Sequence, residues 1–175
     1  KRLIDDKKDL LVVERIAPDM QSSELVQTIF YDDVNKDFGY ALQWVVDRKG
    51  GFLYGYGNTV NNSDPSNRHR VIKFRLPKLS DGRSVVLKSE DALENYTIEE
   101  VSGYKFNPIG QGLDIRSGKL YMPTGFGTDD QPSILYIWDL RKKKMTSVDL
   151  SVVTTGELED IAVLGSRSLL LQSQD

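Results

Sequence analysis

Apolar and polar side chains alternate along several short segments of this sequence. The segment 70–76 reads RVIKFRL and places apolar residues among basic ones with a period close to two. This period is the pattern of a β-strand with one buried face. Helical signals are sparse, and only 89–95 is predicted to form one or two helical turns, starting from a serine cap. The pattern therefore predicts an all-β protein.

One sequence unit occurs twice and, in weaker form, a third time. In the copy at 44–57, Asp47 is followed six residues later by a Leu-Tyr pair, and Asp114 has the same spacing to a Leu-Tyr pair in the copy at 111–127. The weaker copy lies at 159–170 and contains one more residue between its parts. Internal repeats of this kind indicate an architecture built from repeated supersecondary units.

Each of the first two copies is followed by two more apolar runs. These runs lie at 70–76 and 84–87 in the first unit and at 134–140 and 145–150 in the second. Short glycine-bearing or charged turns separate them. The unit is therefore strand, turn, strand, loop, strand, turn, strand. Four antiparallel strands repeated at about 40 to 50 residues are typical of a β-propeller blade.

The sequence contains about three four-stranded blades. The predicted segments are the end of one blade at 1–35, whole blades at 41–88 and 110–150, and the first two strands of a further blade at 158–175. Closed propellers have four to eight blades. We therefore expect half of a six-bladed ring, completed by a missing N-terminal half or by a second copy in a homodimer. The absence of an initiator Met and the apolar run at the other end favour the first expectation.

Composition excludes several classes of function. The 175 residues include no cysteine, which excludes a disulfide scaffold, a cysteine-ligated metal centre and a thiol nucleophile. The formal net charge of −3 offers no basic footprint for nucleic acid. No apolar run is long enough to predict a membrane span.

The single histidine, His69, would have to serve any histidine-based mechanism, and it lies between two arginines. That trio is predicted to be a solvated strand start, the alternative being a phosphate or acidic-sugar contact.

The repeat predicts a site at one end of the innermost strands. If these strands start at Trp44, Gln111 and Glu159, the three residues occupy equivalent positions and converge at the mouth of a central channel. We predict that they bind a ligand there. The alternative is that Trp44 is a core aromatic and that the polar residues satisfy backbone groups or water. No metal ligand is assigned.

Four phrases of the sequence resemble a group of known proteins. They are LQWVVD at 42–47, NRHRVIKFRLP at 67–77, QGLD at 111–114 with GKLY at 118–121, and GELEDI at 156–161. The phrases are similar to the C-terminal half of secreted six-bladed propeller proteins of Bacteroides-type gut bacteria. This resemblance implies a secreted or periplasmic protein, lipid-anchored before processing.

More distant propeller relatives are the gluconolactonase-like and strictosidine-synthase-like proteins. The resemblance to them implies that a glutamate at the channel mouth binds Ca²⁺. Glu157 and Glu159 lie near that position, so the resemblance adds Glu157 to the predicted ligand-binding residues. Where those enzymes have a Pro-(Asp/Glu)-Gly turn, this sequence reads Leu158-Glu159-Asp160.

Three functions follow as hypotheses. The first is an extracellular or periplasmic propeller that binds a small molecule or a glycan at the channel mouth. The second is a hydrolase or lyase that uses channel-mouth carboxylates, with Ca²⁺ as its cofactor. The third is a scaffold for protein interactions, which predicts an exposed apolar patch. Fold alone does not choose between them, because propellers carry many unrelated functions.

Overall fold

The computed structural model describes residues 10–106, 110–164 and 168–174, and most of these residues lie in β-strands or the turns between them. The strands are β1 (Leu10–Ile16), β2 (Ser23–Tyr31), β3 (Tyr40–Asp47), β4 (Phe52–Asn58), β5 (His69–Arg75), β6 (Ser84–Leu87), β7 (Glu94–Thr97), β8 (Asp114–Arg116), β9 (Lys119–Thr124), β10 (Ile134–Asp139), β11 (Lys144–Asp149), β12 (Glu157–Leu164) and β13 (Ser168–Gln174). Two short helices, α1 (Val34–Asp37) and α2 (Ile98–Ser102), and 3₁₀ turns at Leu79–Asp81 and Ser89–Asp91 complete the regular structure of these residues. The predicted all-β class is confirmed.

The strands are arranged in successive sheets along the chain. The first sheet has the order β1-β2-β6, the second β3-β4-β5-β7 and the third β8-β9-β10-β11, and β12 and β13 form a hairpin. Neighbouring strands are antiparallel except β2 and β6, which are parallel. None of the sheets formed by the described residues closes on itself.

The third sheet is the meander that the sequence predicts for 110–150. Its first turn contains only Ser117 and Gly118, whose φ angles are 50° and 73°. Positive φ at both residues is the requirement of a type I′ turn, whose twist matches that of the flanking strands. Its last turn is closed by Asp139, whose carboxylate accepts hydrogen bonds from the amides of Arg141 and Lys142. The order of these four strands follows from short local connections.

The predicted fourth strand of the unit at 41–88 is a strand but belongs to another sheet. Residues 84–87 form β6, which pairs with β2 of the first sheet. The buried side chain of Gln27 fixes the chain before this strand, because its Nε2 donates to the carbonyl oxygens of Lys78 (2.8 Å) and Gly82 (2.9 Å). The blade boundary predicted at residue 88 therefore does not coincide with the end of the second sheet.

The helical segment predicted at 89–95 is shorter than expected. Residues 89–91 form a single 3₁₀ turn, and β7 starts at Glu94. The edge of β5 is open to a partner strand, and the backbone of 93–97 pairs with it, beginning with the bond from the Leu93 amide to the Lys73 carbonyl (2.8 Å). Pairing with an open edge outweighs the weak local preference for a helix.

The second sheet is covered on both faces. On one side, Leu53 and Phe74 pack in a cluster with residues of the first sheet such as Ile29. On the other side, Tyr54 and Tyr56 pack in a cluster with residues of the third sheet, including Leu120, Met122 and Trp138. Burial on both faces explains why all residues from 53 to 58 are buried.

The first strands of three successive units run side by side in the same direction. Strand β8 contacts both β3 and β12. Strands β8 and β12 run parallel, because residues further along one strand contact residues further along the other. Gly112 lies against Asp160, and the Asp114 carboxylate accepts a hydrogen bond from the Val163 amide (2.5 Å). We call the end at which these three strands begin the loop end and the opposite end the turn end.

Candidate functional site

Two long connections of the second sheet lie at the loop end. Strand β4 ends there at Asn58, and the connection 59–68 leads into β5. Strand β7 also ends there and continues into α2 and the segment 103–106. Long connections on a sheet scaffold are where binding residues concentrate in proteins. The loop end is therefore the candidate location of a binding site.

His69 and Glu99 form a buried pair at the loop end. The Glu99 carboxylate accepts a hydrogen bond from the His69 backbone amide (2.9 Å), and its other oxygen lies 2.5 Å from His69 Nδ1. The side chains of His69 and Glu99 are 1% and 8% exposed. Both carboxylate oxygens are bonded to one residue, so Glu99 is held in a single orientation and ties α2 to the first residue of β5.

Aromatic rings enclose the imidazole of His69. The Tyr56 ring stacks at 6.1 Å between centroids, and the Phe106 ring lies at 4.2 Å. In the described part of the chain, no hydrogen-bond partner is found for His69 Nε2 or for the Tyr56 hydroxyl. Burial, with the charge of Glu99 adding to it, raises the pKa of Tyr56. The phenol therefore stays protonated and keeps a donor beside the imidazole.

A cavity of about 510 Å³ opens beside this pair. Its wall includes charged, amide and aromatic side chains from the connection 59–68 and from the segment after β7: Asp64, Asn67, Arg68, Glu99, Lys105 and Phe106. A volume of a few hundred Å³ is that of a small-molecule site. This combination of groups suits a polar ligand that has one flat apolar face, because Phe106 supplies an apolar surface and the other side chains supply hydrogen bonds and charge.

Of the residues predicted for the site, Gln111 and Glu157 are brought together. Glu157 is the first residue of β12, and Gln111 lies just before β8. Gln111 Nε2 donates a hydrogen bond to Glu157 Oε1. Both side chains are partly buried at the loop end. The pair therefore links the beginnings of two adjacent inner strands.

Trp44 lies away from that pair and packs in the core. Its ring meets Tyr31 edge-on at 5.9 Å and lies at 6.2 Å from the ring of Phe74. These contacts belong to the cluster between the first and second sheets. The environment of Trp44 is thus that of the core aromatic given above as the alternative.

Glu159 lies on β12 at an irregularity of the hairpin. Leu158 pairs with Ser173 and Asp160 pairs with Gln172, so Glu159 is left without a partner residue in the ladder. This is a β-bulge, which changes the direction of the side chains on either side of it. The Glu159 side chain is half-buried and lies two residues from Glu157.

Strand pairing changes the correspondence between the repeated units. Asp47 pairs with Phe52 across a four-residue turn, whereas Asp114 pairs with Tyr121, because the turn after β8 has only two residues. Equal spacing in the sequence therefore does not correspond to equal positions in the sheets. Extended by one residue beyond Asp114, the pairing sets Leu113 opposite Met122. That position corresponds to Trp44 opposite Gly55, so Leu113 rather than Gln111 is the equivalent of Trp44.

The sequence pattern did not find the cavity. A solvated strand start was predicted for Arg68, His69 and Arg70, but His69 is fully buried and Arg70 donates to the Asp37 carbonyl (2.9 Å). Glu99 is thirty residues away in the sequence, so no local spacing connects it to His69. One feature of the sequence does indicate that His69 is buried: the only histidine of the chain stands at an inward-facing position of an alternating strand.

Among residues 10–106, 110–164 and 168–174, no group of three histidine or carboxylate residues lies close enough together to hold a metal ion. No helix within these residues has both the length and the apolar character to cross a membrane.

No protein-family model matches this sequence, and no curated protein matches it either.

Proposed function

We propose that this chain is part of a β-propeller that binds a small polar ligand, glycan-related in chemistry, at the loop end of its blades. The site is the cavity beside His69 and Glu99, with the Gln111–Glu157 pair as a second contact region. We further propose that the protein acts outside the cytoplasm, as a secreted or periplasmic binding protein, on the basis of the resemblance described above.

The arrangement of the sheets supports the propeller. Sheets follow one another along the chain, and each of the last three units begins with a strand that lies beside the first strand of its neighbour. In a propeller, blades of antiparallel strands are arranged radially, with their first strands around a central channel. Parallel first strands in successive units are the feature expected of neighbouring blades.

The cavity is the observation that carries the binding function. Its volume of about 510 Å³ is sufficient for a sugar ring. Phe106 offers an apolar surface, and Arg68, Lys105 and Glu99 offer charged groups for hydroxyl and carboxyl substituents. Glu99 needs no rearrangement to serve as an acceptor, because His69 already holds it in place. Preorganised groups lower the entropic cost of binding.

The proposal is tested by calorimetric titration of the purified chain with glucose, galactose, N-acetylglucosamine and glucuronate. We expect at least one of these sugars to bind. Lys105→Gln should weaken that binding about tenfold, since a hydrogen bond from a charged group is lost. The matched control is Lys142→Gln, which removes the same charge from an exposed turn outside the cavity.

Two results would contradict the proposal. One is the absence of measurable binding for all four sugars. The other is binding that Lys105→Gln and Lys142→Gln weaken equally, because the effect would then come from total charge rather than from the cavity. The melting temperature of each variant shows whether a loss of binding reflects a loss of fold.

A further inference from the structure

A second and larger cavity lies at the turn end, opposite the proposed ligand site. It has a volume of about 920 Å³ and runs between the β3–β4 turn at 47–50 and the β8–β9 turn at 115–118. Val163 of β12 also lines it. The groove is thus shared by the inner strands of three successive units, and it shares none of its residues with the cavity at His69 and Glu99.

Three basic side chains line this groove. Arg48 and Lys49 come from the first turn, and Arg116 comes from the second. All three residues are exposed. Within the described ranges, none of them makes a side-chain hydrogen bond or an ion pair. Their charges therefore remain available to a ligand.

The two acidic residues of the groove are bonded to the backbone. Asp47 Oδ1 accepts from the Gly50 amide (2.9 Å) and so closes its own turn. Asp114 accepts from the Ile115 amide (2.7 Å) through one oxygen and from the Val163 amide (2.5 Å) through the other. These bonds orient both carboxylates toward the backbone, and within the described ranges neither of them forms an ion pair with the basic side chains.

We propose that the groove binds an oxyanion, the phosphate or sulfate group of a soluble ligand. Arginine and lysine side chains provide the charge-assisted hydrogen bonds that such groups require, and an arginine can bind two oxygens at once. The groove carries three basic and two acidic side chains, which is an excess of one positive charge in a chain whose net charge is −3. This site does not depend on the proposed function and lies at the other end of the sheets.

The test is a titration of the whole chain with inorganic phosphate and with inorganic sulfate, followed by nuclear magnetic resonance of the backbone amides. Sodium chloride at the same ionic strength serves as the reference. We expect saturable shifts at 47–50 and 115–118, and we expect the double variant Arg48→Gln, Arg116→Gln to weaken binding about tenfold or more.

The matched control is Arg141→Gln, Lys142→Gln. It removes the same charge from the β10–β11 turn, which is equally exposed but lines no part of the groove. Retained binding in the control supports the site. Equal weakening in both double variants overturns it, because total charge would then explain the binding. Shifts no larger than those in chloride overturn it as well. A stronger effect of phosphate than of sulfate, or the reverse, identifies which group the site prefers.

Discussion

The change Asp37→Asn is predicted to lower the free energy of unfolding by at least about 2 kcal/mol at neutral pH. The Asp37 side chain is 7% exposed. Its carboxylate accepts hydrogen bonds from the hydroxyls of Tyr31 and Ser89 and from Asn95 Nδ2 (3.3 Å). Arg70 Nη1 lies 3.7 Å from it. The residue therefore joins α1 to the first and second sheets.

The magnitude follows from what asparagine keeps and what it loses. Its single oxygen still accepts from the two hydroxyls, but its NH₂ group would face the donors of Asn95 and Arg70. One hydrogen bond to a charged group and one partly buried ion pair are lost, each worth on the order of 1–3 kcal/mol, and the donors left behind lose their acceptor. Asparagine has nearly the same volume as aspartate, so no cavity adds to the effect.

The pH dependence gives a second, independent measurement. Burial disfavours the charged form of Asp37, but the hydrogen bonds from Ser89, Tyr31 and Asn95 and the charge of Arg70 outweigh it and lower the pKa. A carboxyl whose pKa is lower in the folded state stabilises the fold above its unfolded pKa of about 3.9, and this contribution is lost as the pH falls through the folded value. The difference between wild type and Asp37→Asn should therefore shrink below about pH 4.

The assay is urea unfolding followed by tryptophan fluorescence at pH 7 and at pH 3. The control is Asp129→Asn, on an exposed loop, which should change the unfolding free energy by less than about 0.5 kcal/mol. A loss below 0.5 kcal/mol for Asp37→Asn, or a difference from wild type that is the same at both pH values, would refute this account of the network.

Three more substitutions test the packing between and within the sheets. Gly125→Ala should lower the free energy of unfolding in urea by at least about 2 kcal/mol, because φ is 94° and an added Cβ would clash with the Pro132 carbonyl oxygen. An unchanged free energy would contradict this and show that the turn can shift. Trp138→Phe should cost about 1–3 kcal/mol, because it leaves a cavity and removes the indole bond to the Tyr96 hydroxyl (3.1 Å), and an unchanged near-ultraviolet circular dichroism spectrum would argue against this contact. Glu94→Gln breaks ion pairs to two lysines at 2.9 and 2.7 Å on a side chain that is 36% exposed; we expect a loss of about 0.5–1 kcal/mol that becomes smaller in 1 M NaCl, and a loss independent of salt would contradict the electrostatic origin.

Local connections made much of the fold predictable. The hairpin at 10–31 and the meander at 114–149 join strands that are neighbours in the sequence. Alternation and turn residues therefore locate these strands. The strand at 84–87 was also located, but not its partner. Which sheet edge accepts a strand depends on contacts between distant parts of the chain, here those of β6 with β2, and alternation carries no information about them.

The candidate site was predictable only in part. The repeat indicated Gln111 and the resemblance indicated Glu157, and the structure brings these two residues together near the starts of two inner strands. The His69–Glu99 pair was missed because its members belong to β5 and α2, which meet only after the second sheet has formed. Asp47 and Asp114 have the same spacing to the following Leu-Tyr pair, but they do not occupy equivalent positions, because the turn after β3 has four residues and the turn after β8 has two.

The placement of β6 has a consequence for how the molecule opens. The chain leaves the second sheet after β5, adds β6 to the first sheet and then returns to the second sheet as β7. The β2–β6 ladder therefore ties the two sheets together through the chain on both sides of β6. The bonds from the Thr28 amide to the Arg83 carbonyl and from the Asp32 amide to the Leu87 carbonyl (both 2.9 Å) reinforce the ends of this ladder. We therefore expect the first two sheets to form one cooperative unit, whose amides exchange with solvent in a single opening event rather than sheet by sheet.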